Sequence, residues 1–384
     1  MTLEASSYVK ALQPLLSLPR ETLPQLTVAE TRKALEWAAG ALSLELIEKK
    51  GVVPSFLLLP RGHGAPRVVL FAAWHAESLA VLPAAVEGAE RLALAASLAA
   101  LGLDQDAEVP AALVVAPGAM QGSLVLADLL TEHRGRLQAR TAFWLRIGPR
   151  APRRRRIYLG AHGRVVLGIW DAGTNPYRIR DRMVEELRAE AYGPRPLDFE
   201  LLRKLGGNRD ALDFLEEASD EPASGSSDGE ERFRRALFEP RGHVVLPQVK
   251  HPDRPQAWLV FETVENMEPA DLLQRAQVLA GGVKVEIAEG FLWERIGIHH
   301  PSIQAQIKLS KSVSEGPEIW PSAPWLTPAG IFTRALGSPL AEWAIPIPAS
   351  VAIRFPKVED FEPIALEACQ LIRQALAETA GIDP

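Results

Sequence analysis

The stretch from Arg67 to Leu103 constrains the fold more than any other part of the sequence. The four apolar residues at 68–71 are followed by Ala-Ala-Trp-His-Ala-Glu, a loop of small residues, and an alanine-rich segment at 94–101. This order is typical of a buried strand and the next helix of an open α/β sheet. Such sheets bind ligands beyond the carboxyl ends of their strands. His75 and Glu77 follow this strand and alternate along it, so we interpret both as binding-cleft candidates.

The composition limits the class of protein. At 384 residues the chain is expected to form about two domains, and its net charge of −6 gives no support for nucleic acid or a membrane surface as partner. No signal-like or membrane-spanning run is present, so we expect a cytoplasmic protein. The single cysteine, Cys369, excludes an internal disulfide and a cysteine-cluster zinc site, and we interpret it as a small buried hydrophobe.

Apolar runs predict further strands at 44–47, 55–59, 111–115 and 141–147. The arginine run 153–156 is interpreted as a solvated hinge segment that marks a domain boundary. Beyond it, alternation from Ile157 to Trp170 with a turn at Gly163 predicts an antiparallel hairpin. The later strands and helices are typical of an α+β sandwich.

The motifs of the first 155 residues resemble the zinc-dependent M20 aminoacylase and exopeptidase family. His75-Ala76-Glu77 is similar to the family's His-x-Asp, and residues 87–91 (Glu-Gly-Ala-Glu-Arg) stand where the family has a second metal-binding Asp. Residues 119–123 (Ala-Met-Gln-Gly-Ser) are similar to its Asp-Glu-Glu-x-Gly-Ser loop. The resemblance implies a zinc-exopeptidase-like α/β/α fold and activity on N-acyl amino acids or peptides.

The resemblance also implies the domain organisation. We expect a catalytic-type α/β domain of residues 1–155 and 322–384, into which an α+β lid or dimerisation domain of residues 156–321 is inserted. Lids of this family commonly pair through an edge strand and a helix, so the resemblance implies a homodimer.

When the family's motifs are matched to this sequence position by position, few of the family's metal-binding and catalytic groups are present. The general base falls on Ala119 and a metal-binding Glu on Met120, while Thr141 is the nearest match to a metal-binding Asp. The bridging Asp falls on Glu87 or Glu90, and no histidine follows His300 to supply the last ligand. His75 is the one ligand retained, so we expect no bound metal, no other cofactor and no catalytic residue.

Three hypotheses about function stay open. The favoured one is a binding or scaffolding homologue without activity, whose cleft holds a small acylated amino acid or peptide. The second is an active amidohydrolase with zinc in a rearranged site, and the third is a structural subunit that pairs with an active paralogue. The binding-cleft candidates are His75, Glu77, Glu87, Glu90 and Met120.

Two other pairs of residues attract attention. His299 and His300 are read as neighbours on a strand, whose side chains point to opposite faces and cannot chelate together. Trp320 and Trp325 stand near the expected domain junction and are candidates to line a cleft.

Overall fold

The fold is described from a computed structural model. The described residues are 24–51, 54–61, 65–74, 93–94, 96–98, 100–101, 111–117, 124–148, 154–171, 173–190, 194–218, 228–247, 253–265, 267–346 and 358–379. The helices with described bounds are α1 (Pro24–Ala41), α2 (Leu124–Glu132), α3 (Pro176–Glu190), α4 (Pro196–Gly206), α5 (Arg209–Ala218), α6 (Gly229–Phe238), α7 (Pro269–Leu279), α8 (Pro301–Val313), α9 (Ala329–Leu336) and α10 (Val358–Thr379).

The described strands form two larger sheets and two short ribbons. They are β1 (Leu44–Lys49), β2 (Ser55–Pro60), β3 (Val68–Trp74), β4 (Ala111–Pro117), β5 (Thr141–Gly148), β6 (Arg155–Tyr158), β7 (Gly160–Ala161), β8 (Gly163–Ile169), β9 (Arg241–Val245), β10 (Ala257–Thr263), β11 (Val285–Phe291), β12 (Glu294–Arg295), β13 (Pro317–Trp320) and β14 (Leu340–Pro346).

The first unit comprises residues up to Ile157, Gly297–Glu318 and Phe332 onward. Its six-stranded sheet has the order β1-β2-β4-β3-β5-β14, in which β4, β3, β5 and β14 are parallel to one another. The side chains of 68–73 and 111–116 are buried on both faces of the sheet. Central parallel strands of this kind are continuous apolar runs because helices cover both faces. The sequence expectation of an α/β unit built on 68–71 is therefore confirmed.

The second unit comprises Tyr158–Ile296 and Ile319–Ile331. Its antiparallel sheet has the order β11-β8-β10-β9, and α3 and α7 pack on one face through a core that includes Met183, Leu272 and Phe261. Helices α4, α5 and α6 enclose a second core with Phe233 and Trp320 at its centre. This unit mixes helices with an antiparallel sheet, as the α+β interpretation predicts.

The observed division differs from the expected lid range of 156–321. It falls after Ile157, and it groups residues 297–318 with the first unit because α8 packs against α10, β5 and β14. Residues 319–331 group with the second unit instead.

The predicted hairpin within Ile157 to Trp170 is wrong. β6 pairs with β13, β7 pairs with β12, and β8 pairs with β10 and β11. Alternation identified these residues as strands correctly, but it carries no information about a partner strand that lies far along the sequence.

The arginine run is not the solvated segment that was expected. Arg154 is exposed, but Arg155 is buried and Arg156 is partly buried, and they bind Glu367 and Glu318 at 2.7 and 2.9 Å. The ion pairs supply the compensating charge that buried guanidinium groups need.

His299 and His300 lie before a helix rather than on a strand. His300 is the N-cap of α8, and its Nδ1 accepts the backbone N–H of Ser302 at 3.2 Å. Burial lowers the pKa of His300, which keeps Nδ1 available as an acceptor. His300 therefore has a structural role as a helix cap. Among the helices whose residues the structure describes, none is long and apolar enough to cross a membrane.

Candidate functional site

Four strands of the first unit end at one edge of its sheet. Trp74 at the end of β3 lies beside Pro117 at the end of β4, and Gly148 at the end of β5 lies beside Pro346 at the end of β14. β3 and β5 are parallel neighbours between these two pairs. The carboxyl edge of an open α/β sheet is where ligand sites form, because the loops that leave these ends converge there.

The candidates predicted from sequence lie outside the described residues. His75 directly follows Trp74, and Glu77, Glu87 and Glu90 belong to the same connection. Ala119 and Met120 follow β4. The topology thus places the attachment points of both connections at one edge, while the side chains themselves have no described position.

Thr141 is the exception, since its position is described and is at the wrong end of the sheet. It starts β5 and lies beside Val68, the first residue of β3. The seven residues from Val68 to Trp74 span about 20 Å of strand, so Thr141 lies at the edge opposite the one that His75 follows. The comparison of Thr141 with a metal-binding position at the site is therefore wrong.

The residue types in the four connections decide which ions this edge could hold. Residues 75–92 contain His75, Glu77, Glu87 and Glu90. Residues 118–123 (Gly-Ala-Met-Gln-Gly-Ser), 149–153 (Pro-Arg-Ala-Pro-Arg) and 347–357 (Ile-Pro-Ala-Ser-Val-Ala-Ile-Arg-Phe-Pro-Lys) contain no His, Cys, Asp or Glu. A two-metal centre needs a bridging carboxylate and ligands on both sides of it. The donor set of these connections does not fit such a centre.

Over the described ranges no group of three or more His, Cys, Asp and Glu side chains is arranged to hold a metal ion. The acidic and basic groups that the structure does bring together instead form ion pairs. The largely buried ones include a pair around Glu367 in the first unit and a cluster around Glu262 in the second unit.

A buried ion pair fixes β14 close to the carboxyl edge. The Nη2 of Arg155 donates to Glu367 at 2.7 Å, and its Nη1 donates to the carbonyl of Ala344, two residues before Pro346, at 2.9 Å. Trp343 Nε1 donates to the other oxygen of Glu367 at 3.0 Å, and the guanidinium lies 5.6 Å from the Trp343 ring centre. Burial raises the pKa of Glu367, against the lowering effects of Arg155 and Trp343. Sequence reasoning missed this pair because Arg155 and Glu367 are 212 residues apart.

The charged cluster of the second unit surrounds Glu262 on β10. The sheet register places Glu262 beside Arg164 on β8 and beside Arg241 on β9. The Nδ1 of His162 lies 3.9 Å from the Glu262 carboxylate, and its Nε2 lies 3.0 Å from the carbonyl of Leu237. His162 therefore joins the sheet to the end of α6. Basic and acidic residues at matching positions of neighbouring strands are the signal that could have revealed this cluster.

Opposing influences set the protonation of Glu262. Burial is the largest influence and raises its pKa, but His162, Arg241 and His243 together lower the pKa below its ordinary value. The cluster thus holds an ionised carboxylate inside a partly buried sheet face.

Trp320 does not line a cleft. It is fully buried and packs edge-on against Tyr158, Phe214 and Phe233, with ring centres 5.0 to 5.8 Å apart. Trp325 is half-buried and packs against the same Tyr158 and Phe214. The aromatic residues near the expected junction are core residues of the second unit.

No protein-family model matches the chain, and a search of curated protein sequences finds no match. Among solved structures, it is similar to the M20 family metallo-carboxypeptidase Sso-CP2 from Sulfolobus solfataricus, with a TM-score of 0.67, 16% identity and coverage of 95% of this chain and 99% of that chain. It is also similar to human carnosine dipeptidase 1, with a TM-score of 0.61, 11% identity and coverage of 97% of both chains.

The di-peptidase Dug1p from Saccharomyces cerevisiae gives a TM-score of 0.59, 11% identity and coverage of 98% of this chain and 97% of that chain. Identities this low establish the fold alone. The expected M20-like α/β fold is confirmed over nearly the whole chain.

Proposed function

We propose that this chain, which has the M20 peptidase fold, is a binding or scaffolding homologue without hydrolase activity. One observation carries the proposal: of the four connections that leave the carboxyl edge of the sheet, three contain no His, Cys, Asp or Glu side chain. The position that resembles the family's general base is Ala119.

The chemistry of those positions supports the proposal. An alanine cannot accept a proton from water, and the loss of a general base alone lowers a rate by about 10²- to 10⁴-fold. Met120 is a soft thioether that binds zinc poorly beside oxygen and nitrogen ligands. With both positions changed, the chain lacks the base that would activate a water and a ligand that would help to hold a second metal. The mechanism that the resemblance implies requires both.

The proposed ligand is a small acylated amino acid or peptide, held at this edge with His75, Glu77, Glu87, Glu90 and Met120 as binding candidates. An imidazole and carboxylates recognise amide and ammonium groups by hydrogen bonds, and a methionine contributes an adaptable apolar contact. The cytoplasmic location and a pairing with an active paralogue stay predictions.

A second function is favoured by a specific observation. Among the four connections, the His and Glu residues that could serve as metal ligands all belong to residues 75–92, and a catalytic zinc needs only about three protein ligands. An amidohydrolase with one zinc bound by His75, Glu77 and either Glu87 or Glu90 is therefore the alternative.

Metal analysis combined with an assay separates the two functions. The purified chain is incubated with zinc, freed of excess ion, and measured by elemental analysis and by turnover of N-acyl amino acids and dipeptides. The proposal expects no retained zinc and no turnover, with an N-acetyl amino acid or dipeptide binding more weakly to His75→Ala.

The matched control is His299→Ala, which removes an exposed histidine far along the sequence from this edge. Retention of about one or two equivalents of zinc, with turnover lost in His75→Ala but kept in His299→Ala, would establish the amidohydrolase instead.

A further inference from the structure

Two arginines of the first unit make the same kind of three-residue arrangement beside β14. The Nη1 of Arg146 donates to Glu342 at 2.9 Å, and its guanidinium lies 5.1 Å from the ring centre of Trp144. Arg155 likewise pairs with a glutamate of α10 and lies 5.6 Å from the ring centre of Trp343. Since Glu342 and Trp343 are successive residues of one strand, the two arrangements lie on opposite faces of the sheet.

The two arginines differ in their exposure to solvent. The side chain of Arg155 is 7% exposed, and its second hydrogen bond goes to the backbone carbonyl of Ala344. The side chain of Arg146 is 38% exposed, although its partner Glu342 is as buried as Arg155. Arg155 therefore has a structural role, whereas solvent, and with it a small ligand, reaches Arg146.

Arg146 lies close to the edge at which the parallel strands end. β5 ends at Gly148, beside Pro346 at the end of β14. Arg146 is two residues before Gly148, about 7 Å along the strand, which a long side chain can span. The exposed arginine thus belongs to the edge of the sheet where ligand sites form.

Its neighbours hold the guanidinium of Arg146 in a fixed orientation. Trp144 is buried and packs edge-on against Phe71 of β3, with ring centres 5.9 Å apart. Glu342 lies beside Trp144 in the register of β5 and β14 and is buried as well. A guanidinium is a planar fork of five N–H donors, so one that a first carboxylate orients can still bind a second carboxylate. Such preorganisation reduces the entropic cost of binding.

We propose that Arg146 binds the carboxylate of the ligand at this edge, and that Glu342 and Trp144 position its guanidinium. This inference rests on the proposed function, because an N-acyl amino acid and a peptide both end in a carboxylate. It adds a specificity to that function: the chain binds such acids in preference to their uncharged amides.

Glu342 gives the inference a second, opposite consequence. Its carboxylate orients Arg146, but it also repels a ligand carboxylate that binds to the same guanidinium. Glu342→Gln keeps an acceptor for Nη1 and removes the charge, so it should strengthen the binding of a carboxylate. Arg146→Gln should weaken it. A purely structural role of the pair would not give effects of opposite sign.

Titration with sodium acetate tests the arginine without any assumption about the natural ligand. The NMR signal of the Trp144 indole N–H, assigned with Trp144→Phe, reports binding beside Arg146. Acetamide, which has the same shape without the charge, and sodium chloride at equal ionic strength are the reference titrations. Acetate alone should give a saturable shift in the wild type.

The variants should change the dissociation constant of acetate in opposite directions. Arg146→Gln should raise it by at least about tenfold, because a charge-assisted hydrogen bond is lost. Glu342→Gln should lower it by about threefold, as expected for the removal of a like charge about 7 Å away in a largely aqueous setting. Circular dichroism verifies that each variant folds.

Arg32→Gln is the matched control. Arg32 of α1 is 40% exposed and pairs with Glu48 of β1, which is at the other end of the strand order from β14. The substitution makes the same change of charge in a similar pair, and it should leave the binding of acetate unchanged.

Calorimetry with N-acetylglycine and N-acetylglycinamide links the arginine to the proposed ligand. The acid should bind at least about tenfold more tightly than the amide, and Arg146→Gln should abolish this difference. Binding of acetate that depends on Arg146, without binding of N-acetylglycine, would support the arginine site and count against the proposed ligand.

The inference is overturned if acetate and acetamide shift the Trp144 signal alike in the wild type, a comparison that needs no variant to fold. It is also overturned if Arg146→Gln binds acetate like the wild type, or if Glu342→Gln does not strengthen the binding. None of these acetate results depends on whether the chain binds zinc or has activity.

Discussion

Two largely buried carboxylates, one in each unit, have pKa values displaced in opposite directions. Glu367 of the first unit is 15% exposed, and burial raises its pKa above the ordinary 4.5. Glu262 of the second unit is 25% exposed, and burial raises its pKa too, yet His162, Arg241 and His243 together bring the pKa below 4.5. The number of basic neighbours, rather than burial, separates the two residues.

The sign of each shift fixes its effect on stability. Glu367 binds a proton more tightly when folded, so its contribution to stability falls as pH rises from about 4.5 through the raised folded pKa. Glu262 binds a proton less tightly when folded. Its contribution is present above about 4.5 and is lost as pH falls through the lowered pKa.

The largest effect is expected from Arg155→Met, which removes the arginine that pairs with Glu367. An uncompensated buried carboxylate should lower the free energy of unfolding by about 3–5 kcal/mol. The loss should be greater at pH 8 than at pH 5, because protonation of Glu367 relieves the buried charge at the lower pH. Urea unfolding at both pH values measures the loss in unfolding free energy.

Matched variants separate the charge from the packing of Arg155. Arg154→Met changes an exposed arginine that is 4.0 Å from Glu315, and it should have little effect. Arg155→Met combined with Glu367→Gln removes both charges and keeps an acceptor for Trp343, so it should recover part of the stability. A double variant less stable than Arg155→Met would contradict the assignment.

A smaller effect on stability, which also disappears at low pH, is expected from Glu262→Gln. At pH 7 the substitution should lower the unfolding free energy by about 1–2 kcal/mol, since it removes charge-assisted interactions with His162 and Arg241. At a pH below its lowered pKa the wild-type carboxylate is protonated, so the two proteins should converge there. An equal loss at both pH values would show that shape, not charge, matters at this position.

A buried side chain without charge provides a comparison for the effects of both carboxylates on stability. Gln306 on α8 is fully buried, and neither its Oε1 nor its Nε2 has a hydrogen-bond partner among the described residues. Gln306→Met, similar in shape, should raise the unfolding free energy by about 1 kcal/mol because an unpaired buried amide is destabilising. A thermal midpoint that falls instead would indicate that bound water satisfies the amide.

Sequence patterns predicted those parts of the fold that depend on local burial. The apolar runs of β3, β4 and β5 identified central strands, because residues buried on both faces must be apolar whatever their partners are. Alternation within β8 likewise identified a strand. Neither pattern identifies the strand with which another strand pairs, so the pairing of β6 with β13 was missed.

The candidate site was predictable in residue type and not in geometry. The sequence shows directly that Ala119 and Met120 cannot act as a base or as hard ligands, whatever their positions. It does not show which end of β5 adjoins the site, and Thr141 was assigned to the wrong end. The burial of Arg155 also depends on a distant partner, Glu367, that no local pattern reveals.

The smallest effect is expected at the carboxylate whose pKa is displaced to about 2, Glu231 on α6. Its shift arises from hydrogen bonds donated by Arg234 at 2.6 Å and Arg235 at 2.8 Å on the same helix. The side chain is 29% exposed at the surface, where solvent screens the interaction and the arginines lose conformational freedom. Glu231→Gln should therefore lower the unfolding free energy by about 0.5 kcal/mol or less, and not at all in 1 M salt, where the Debye length is about 3 Å. The loss should disappear as pH falls from about 4.5 through the folded pKa of about 2. If urea unfolding gave a larger loss for Glu231→Gln than for Glu262→Gln, the size of the pKa shift, and not the burial of the carboxylate, would govern its contribution to stability.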